Sequence, residues 1–347
     1  MSKSRKSWME NSNSIWLGST IRLIRNVSKF KFPGKNSPEH HKQVLSLILN
    51  SLEASCSLPK AKTYLTEKMT SLEKEFLFEH FLSTQSFHQA HEGEAFITDD
   101  SETFLAIINI KEHVQIQITN SSEDLESSLT KLMAIEEELG AVTKYAFSEK
   151  FGYLTADPAS CGSGLKAYAF LHLPALIHTQ KIQSHISKHV PKSLETTGLQ
   201  GDPNTLIGDI LSLHNKFSLG LTEEDILTIT HSTVTKLIGA EKKERQNIKK
   251  ESPTIIKDKI SRAFGLLTHS YQLETIEAMQ ALSLLKLGLE LDWIKGTTIL
   301  DLNSLLFNCR RAHIQYKNKK DLPNDEIAHV RAEYIRSVLK KISLNLK

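Results

Sequence analysis

Between residues 40 and 52 the apolar side chains fall at Val44, Leu45, Ile48, Leu49 and Leu52, the spacing of a helix with one buried side. Residues 72–82 repeat that character. The period then shortens. Residues 103–110 are dense in Ile, Leu and Phe, which predicts a buried strand. Val114, Ile116 and Ile118 alternate with Gln115, Gln117 and Thr119, which predicts a half-buried strand. Leu125, Leu129, Leu132 and Leu139 return to helical spacing, with Gly140 placed as a C-cap. Residues 151–173 read as a loop, a glycine-rich turn and an apolar segment, and residues 206–219 and 223–238 mix apolar runs with polar faces. A charged stretch, 241–251, closes near Pro253 and reads as a domain boundary or a solvated helix spanning it. Beyond it the spacing is helical over 260–294, 300–311 and 326–344. Mixed α and β first, helices last, predicts an α+β protein with a helical C-terminal domain. The expected division is a flexible polar N-terminus over 1–14, a first domain over 15–245 and a helical domain over 246–347.

Composition narrows the function. The 347 residues carry 43 Lys+Arg against 40 Asp+Glu, a net charge of +3, too weak a field to imply a nucleic-acid partner. No apolar run reaches the roughly 18–20 residues of a membrane span. The basic start, Met1 to Lys6, is followed by polar residues and not by the apolar core of a signal peptide. Cys56, Cys161 and Cys309 are far apart and odd in number, which leaves no disulfide framework or zinc ribbon and points to a reducing, cytoplasmic setting. Of the cations only nine are arginine, and none lies between Arg25 and Arg245.

Generic motifs say little. Gly162-Ser163-Gly164 can cradle a phosphate with backbone N–H groups, and equally makes a tight turn. His185 and His189 share a helix face but have no further ligand nearby, so no metal site is assigned. There is no Walker A sequence, G-x-S-x-G elbow or H-E-x-x-H.

Longer segments say more. Ser19-Thr20-Ile21-Arg22-Leu23-Ile24-Arg25-Asn26 resembles the Ser-Arg-x-Arg-x-x-Arg-Asn segment of ATP:guanido phosphotransferases (phosphagen kinases). Residues 109–117 resemble their Asn-Glu-Glu-Asp-His-Leu-Arg-Ile-Gln strand. Phe151-Gly152-Tyr153-Leu154-Thr155, then Gly162-Ser163-Gly164-Leu165-Lys166-Ala167 and His172-Leu173-Pro174, resemble their glycine-rich block. Leu219-Gly220, residues 222–226 and residues 263–267 look most like the bacterial branch, the protein-arginine kinases. The likeness runs from Trp8 to about Leu339. It implies a phosphotransferase domain with an antiparallel sheet flanked by helices, and a C-terminal domain that dimerises and binds phosphoarginine. It also implies ATP and Mg2+ as cofactors, protein substrates, a small zinc-binding activator and a Clp-type protease.

The family's chemistry is positioning plus charge neutralisation. Arginines clamp the triphosphate bidentately, while two carboxylates hold the guanidinium and one takes its proton. Ungapped alignment puts the five clamp positions on Thr20, Arg22, Gln115, Lys166 and Thr197, so two cations remain. Ser19 and His80 join these as expected nucleotide-side residues. The catalytic glutamate falls on Ile110, with Lys111 next, and the second carboxylate falls on Asp202. Glu112, two residues beyond Ile110, is the candidate stand-in if the segment is a strand. Asp157 replaces a cysteine beside the site. The Arg-Asp-x-x-Arg-Ala segment of the phosphoarginine pocket keeps only Arg331-Ala332. The resemblance therefore implies a protein-arginine kinase with a strongly altered site, or a pseudokinase serving as adaptor or regulator.

Overall fold

The computed structural model describes residues 11–53, 57–58, 61–82, 91–121, 124–318 and 322–346. In chain order the first part contains β1 (Trp16–Arg25), α1 (Pro38–Glu53), β2 (Lys62–Leu65), α2 (Ser71–His80), β3 (Ala95–Thr98), β4 (Phe104–Ile108), β5 (Val114–Asn120) and α3 (Leu125–Val142). It continues with a small hairpin of β6 (Phe147–Ser148) and β7 (Gly152–Tyr153), then β8 (Leu165–His172), α4 (Pro174–His178), α5 (Ile182–His189), β9 (Leu194–Thr197) and β10 (Ile210–Asn215). The rest is α6 (Glu223–Glu251), α7 (Thr254–His269), α8 (Thr275–Glu290), β11 (Ile294–Lys295), α9 (Ile299–Asn308), α10 (Arg311–Asn318), α11 (Asn324–Val338) and β12 (Ser343–Leu344).

Eight strands form one antiparallel sheet in the order β2-β3-β4-β5-β1-β8-β10-β9. Strand β1 lies inside it and is buried along all ten residues. Its Ile21 and Leu23 join Ile116, Ala167, Ala169 and Leu213 in the larger core cluster, where they meet Val44 and Ile48 of α1, Leu132 and Ile135 of α3 and Val234 and Leu237 of α6. The other side of the sheet is apolar at both ends and polar between. Phe96, Leu105 and Ile107 pack with Phe81 beyond α2, and Phe170 joins the core of α7, α8 and α9.

The helical part is built by close approach. A methyl group on Gly288 of α8 would sit 2.8 Å from Ile260 of α7 and from Ile294, so glycine sets the α7–α8 spacing. Between sheet and helices runs a buried polar seam. His172 Nε2 pairs with Ser283 Oγ at 2.7 Å, Ser283 donates to Asp209, and Asp209 also meets His178 Nε2 at 3.1 Å. Glu241 of α6 accepts the N–H groups of Ala175 and Leu176 at the start of α4, both at 3.0 Å, and Arg245 Nε at 2.8 Å.

The sequence expectations meet three differences. The charged stretch 241–251 is helical as the last part of α6; Glu241, Glu244, Arg245 and Ile248 are buried while Lys242, Lys243, Gln246 and residues 249–251 are exposed, so one face of it is packed and the other solvated. Gly140 lies inside α3, whose C-cap is Thr143. The predicted last helix ends at Val338, and Ser343–Leu344 turn back to pair with β11. Residues 1–10 of the expected flexible N-terminus, and Cys56, lie outside the described residues. Asn11, within that expected segment, donates to the carbonyls of Trp16, Leu17 and Ser121. Among the described residues no helix is long and apolar enough to cross a membrane.

Removing the Glu241 carboxylate leaves two helix-start N–H groups without their partner and takes from buried Arg245 the nearer of its two carboxylates, Glu290 remaining at 3.3 Å. Glu241→Ala is expected to cost about 3–5 kcal/mol, read as a lowered urea midpoint. A loss below about 1 kcal/mol would show that water replaces the carboxylate there.

Candidate active site

Pairing register assembles the site. Arg22 on β1 stands opposite Gln117 on β5 and Lys166 on β8; Thr20 stands opposite Thr119 and Tyr168; Ile24 stands opposite Gln115. Alternate residues of a strand share a face, so Thr20, Arg22, Gln115, Gln117, Thr119, Lys166 and Tyr168 are brought together. Tyr168 faces His214 on β10, whose Ser212 is opposite Thr197 and whose His214 is opposite Glu195 on β9. Four of the five clamp positions thus gather on one face, and Thr197 closes its far edge. The polar side of β5 is not turned to solvent as a half-buried strand would suggest: Gln115, Gln117 and Thr119 are 2%, 1% and 0% exposed.

Arg22 Nε donates to Gln117 Oε1 at 2.9 Å, and its guanidinium lies over the Tyr168 ring, 5.5 Å from the centroid. Tyr168 stacks on His214 at 4.8 Å. Thr20 and Thr119 share a hydroxyl hydrogen bond of 2.8 Å. Lys166 Nζ donates to the carbonyls of Lys216 at 2.9 Å and Asn215 at 3.2 Å. Among the described residues no carboxylate forms an ion pair with Arg22 or Lys166. Burial lowers the Lys166 pKa; Asp157 and Glu195 oppose that and Arg22 adds to it. Burial, with help from the two cations, holds the His214 pKa at about 4, so its ring is neutral near pH 7. Gln115 Nε2, Thr197 Oγ1, Ser212 Oγ and His214 Nδ1 are buried without a protein partner in the structure. Two adjacent cations beside unpartnered polar atoms suit an anion such as a polyphosphate, so the donor set fits the phosphates of ATP. Among the described residues no group of three His, Cys, Asp or Glu is placed to hold a metal ion. Mg2+ brought in with ATP would be held by the phosphates rather than by a protein cage, and would supply neutralising charge there.

The remaining expected residues sit elsewhere. Ser19 alternates to the opposite face, where its Oγ accepts the Trp16 indole N–H at 3.0 Å. His80 ends α2, with Nε2 at 2.9 Å from the Glu102 carbonyl. Residues 109–113 form the turn between β4 and β5, with Asn109 at φ +60°. The strand alternation that put Glu112 beside Ile110 therefore does not apply. Ile110 packs against the Phe81–Phe96 cluster and Lys111 is exposed. Glu112 is buried and occupied: it accepts from Asn26 Nδ2 at 2.6 Å and from the Ala156 N–H at 3.0 and 3.1 Å. Burial raises its pKa, and these donors oppose the rise. Asp202 is exposed in the loop after β9, where it accepts from the Asn204 N–H at 2.9 Å and from the Thr205 hydroxyl. Those hydrogen bonds lower its pKa. Asp157 accepts from the Ala159 N–H at 3.1 Å and so starts a short helical turn.

The glycine-rich turn has a definite task. Gly164, at φ +64°, would place a methyl 2.7 Å from the Ile24 carbonyl. That close approach lets Arg25 reach the Ser163 carbonyl at 2.9 Å and lie over Tyr153 at 3.5 Å. Tyr168 and His214 were not foreseen from the sequence. Their signal is faint: Tyr168 stands between Ala167 and Ala169, and His214 follows Leu213.

Comparison with known proteins fits this fold. Residues 43–244 match the family model described as ATP:guanido phosphotransferase, C-terminal catalytic domain, and residues 253–346 match the protein-arginine kinase McsB C-terminal domain. A lombricine kinase crystal structure aligns with a TM-score of 0.58 at 19% identity, over 70% of this chain and 71% of that one. The duplicated taurocyamine kinase of Schistosoma mansoni, with bound transition-state-analog components, gives 0.58 at 23% identity, over 66% of this chain and only 33% of its own. These two share the phosphagen-kinase fold. Among curated relatives, the protein-arginine kinase of Chlamydia pneumoniae is 36% identical over 96% of this chain and 94% of its own length. That of Clostridium tetani is 31% identical over 96% and 98%. The chain belongs to the ATP:guanido phosphotransferase family, in its protein-arginine kinase branch.

His113 offers a pH test of the turn beside the site. Val27 N–H donates to Nδ1 at 3.0 Å, which leaves the ring proton on Nε2, 3.0 Å from the Asn36 amide. The amide oxygen then belongs against Nε2. Burial holds this pKa down at about 4. The unfolded chain, with a pKa near 6.5, takes the proton first. Stability is thus full above about pH 6.5 and is lost as pH falls toward 4. His113→Gln is expected to flatten the fall in unfolding free energy across that window, read from urea titrations, by on the order of 2 kcal/mol. An unchanged pH slope would show that other groups set it.

Proposed function

We propose that this chain works in the protein-arginine kinase system as a nucleotide-binding homologue that has lost phosphoryl transfer, and so acts as an adaptor or regulator of protein clients. The observation that carries this reading is a contrast at one site. Arg22 and Lys166 remain side by side on neighbouring strands, whereas Ile110, packed among apolar side chains, stands in place of the guanidinium-holding glutamate. In the family's reaction a guanidino nitrogen attacks the γ-phosphorus. The N–P bond forms as the bond to the bridging oxygen breaks, ADP leaves with the electron pair, and the nitrogen gives up a proton. A guanidinium has a pKa above about 12, so that proton needs an oriented carboxylate. Lys111 repels the cation instead. Glu112 is tied to Asn26 and Ala156, and Asp202 shapes its own turn.

The phosphate side retains more. A polyphosphate would draw Lys166 from two neutral carbonyls, because a charge-assisted bond is the stronger one. Arg22 would meet it with its guanidinium held edgewise by Gln117 and backed by Tyr168. In this reading the partners are protein clients, a second copy through the C-terminal helices, a small zinc-binding activator and a Clp-type protease in the cytoplasm. An active protein-arginine kinase, carrying the ATP γ-phosphoryl group to client arginines, is the second reading; the retained Asp202 carboxylate and the full-length likeness favour it.

One experiment separates the two. Purified protein is incubated with Mg-ATP and an arginine-rich protein, with and without a zinc-binding activator, and phosphoarginine is sought by mass spectrometry under non-acidic conditions. The expected result is no product, with an ATP-dependent rise in Tm that Arg22→Ala removes by weakening nucleotide binding about tenfold or more. Phosphoarginine that disappears in Asp202→Ala overturns the pseudokinase reading. A second prediction is a gain of function. Ile110→Glu with Lys111→Glu restores both acidic positions, and measurable transfer is expected only in that double variant; transfer absent there as well would place the defect in the reduced clamp.

A further inference from the structure

Helix α5 packs along α6. Lys181, its N-cap, sits with Nζ 2.7 Å from Glu244, while its last residue, His189, feels the charge of Lys236. The two helices therefore run antiparallel. Both are free of acid where they meet: no Asp or Glu occurs between Asp157 and Glu195, nor between Asp225 and Glu241. Their joint surface carries His185, Lys188 and His189 of α5, Lys192 just beyond it, and Lys236 and Lys243 of α6, which are two turns apart on one side. These four lysines are exposed, and among the described residues none of them forms an ion pair. His185 and His189 stack, with ring centroids 5.7 Å apart and 22° from parallel. Burial, with the charges of Lys188, His185 and Lys236, lowers the His189 pKa. In a chain whose net charge is only +3, this is a local excess of one sign. Helix α5 leads into edge strand β9; segments 54–56, 59–60 and 83–90 precede β2 and β3, the strands of the opposite edge.

We propose that this α5–α6 face docks an acidic segment of a partner protein. Carboxylates on the partner would answer the unpaired lysines, and such complementarity steers encounter and fixes orientation. A nucleic acid fits less well, because the face has no arginine to fork onto phosphates and no aromatic ring to stack a base. A bilayer fits less well again. Ile182, Ile186 and Val190 turn in to the sheet core, which leaves no apolar side to enter lipid. The face is independent of the phosphotransfer site: α5 lies on the helix-covered side of the sheet, and Arg22 and Lys166 lie on the other.

A fluorescent polyglutamate peptide titrated with the full chain, with anisotropy as the readout, tests this. Saturable one-to-one binding is expected. It should weaken as salt rises from about 0.01 to about 0.15 M, which shortens the Debye length from about 30 to about 8 Å. Lys188→Gln, Lys192→Gln and Lys236→Gln combined are expected to weaken binding about tenfold or more. The same change at Lys68, Lys131 and Lys340, exposed elsewhere, is expected to stay within about twofold. Saturating peptide is expected to raise the His189 pKa, followed by NMR, because carboxylates beside the ring favour its charged form. Any of four results overturns the assignment: no saturable binding; a loss no greater in the α5–α6 variant than in the control variant or in Arg22→Ala; a His189 pKa that peptide does not move; or tighter binding of an oligothymidylate or of phosphatidylserine vesicles than of the peptide, weakened by the same three substitutions.

Discussion

A ten-residue strand buried on both faces has to satisfy two unlike surroundings, and β1 does so by alternation. Every second side chain enters the helix-covered core; those between enter a polar layer that is nearly as dry. Because a strand's period is two, a slip of one residue would drive Arg22 and Thr20 into the aliphatic core and turn Ile21 and Leu23 to the polar face. The register of β1 with β5 and β8 therefore fixes the core and the site together. The seven-residue pairing with β5 and the tight passage of Gly164 past Ile24 make that register costly to change.

Much of the architecture was legible because helices announce themselves by period. Val44, Ile48 and Leu52, or Leu125, Leu129 and Leu132, are stripes that have no other sensible use. What escaped was decided by contacts remote in sequence. Gln115, Gln117 and Thr119 alternate like a solvated edge, yet they pair across β5 with a strand nearly a hundred residues earlier. The helical spacing near the C-terminus runs on past Val338, but β11 offers a ladder that Ser343 and Leu344 take. The run from Glu241 to Glu251 looks solvated in composition; its buried members answer Arg245, Lys181 and the start of α4.

The candidate site was legible where chemistry depends on residue type and opaque where it depends on direction. Arg22 and Lys166 could be read from segment likeness, and register brings them side by side. Ser19 is the neighbour of a site residue and for that reason points away from it. Glu112 has a suitable functional group, but Asn109 with φ +60° makes its segment a turn, and a buried carboxylate in a turn closes onto nearby N–H groups. Such a group has two competing tasks, holding the loop and accepting a substrate's proton, and its hydrogen bonds to Asn26 and Ala156 are those of the first.

Helix α6 runs on past the end of the first matched family segment, at residue 244, and stops at Glu251, just short of the second, which begins at residue 253. Its 29 residues form a rod of about 43 Å, rooted in the sheet's core at Val234 and Leu237 and in the helical core at Ile248. A rod shared by two cores has no free joint. Strain applied at one end is transmitted as tilt at the other, and sequence drift in either half is answerable to both. The two matched segments are thus distinct in sequence but coupled in mechanics.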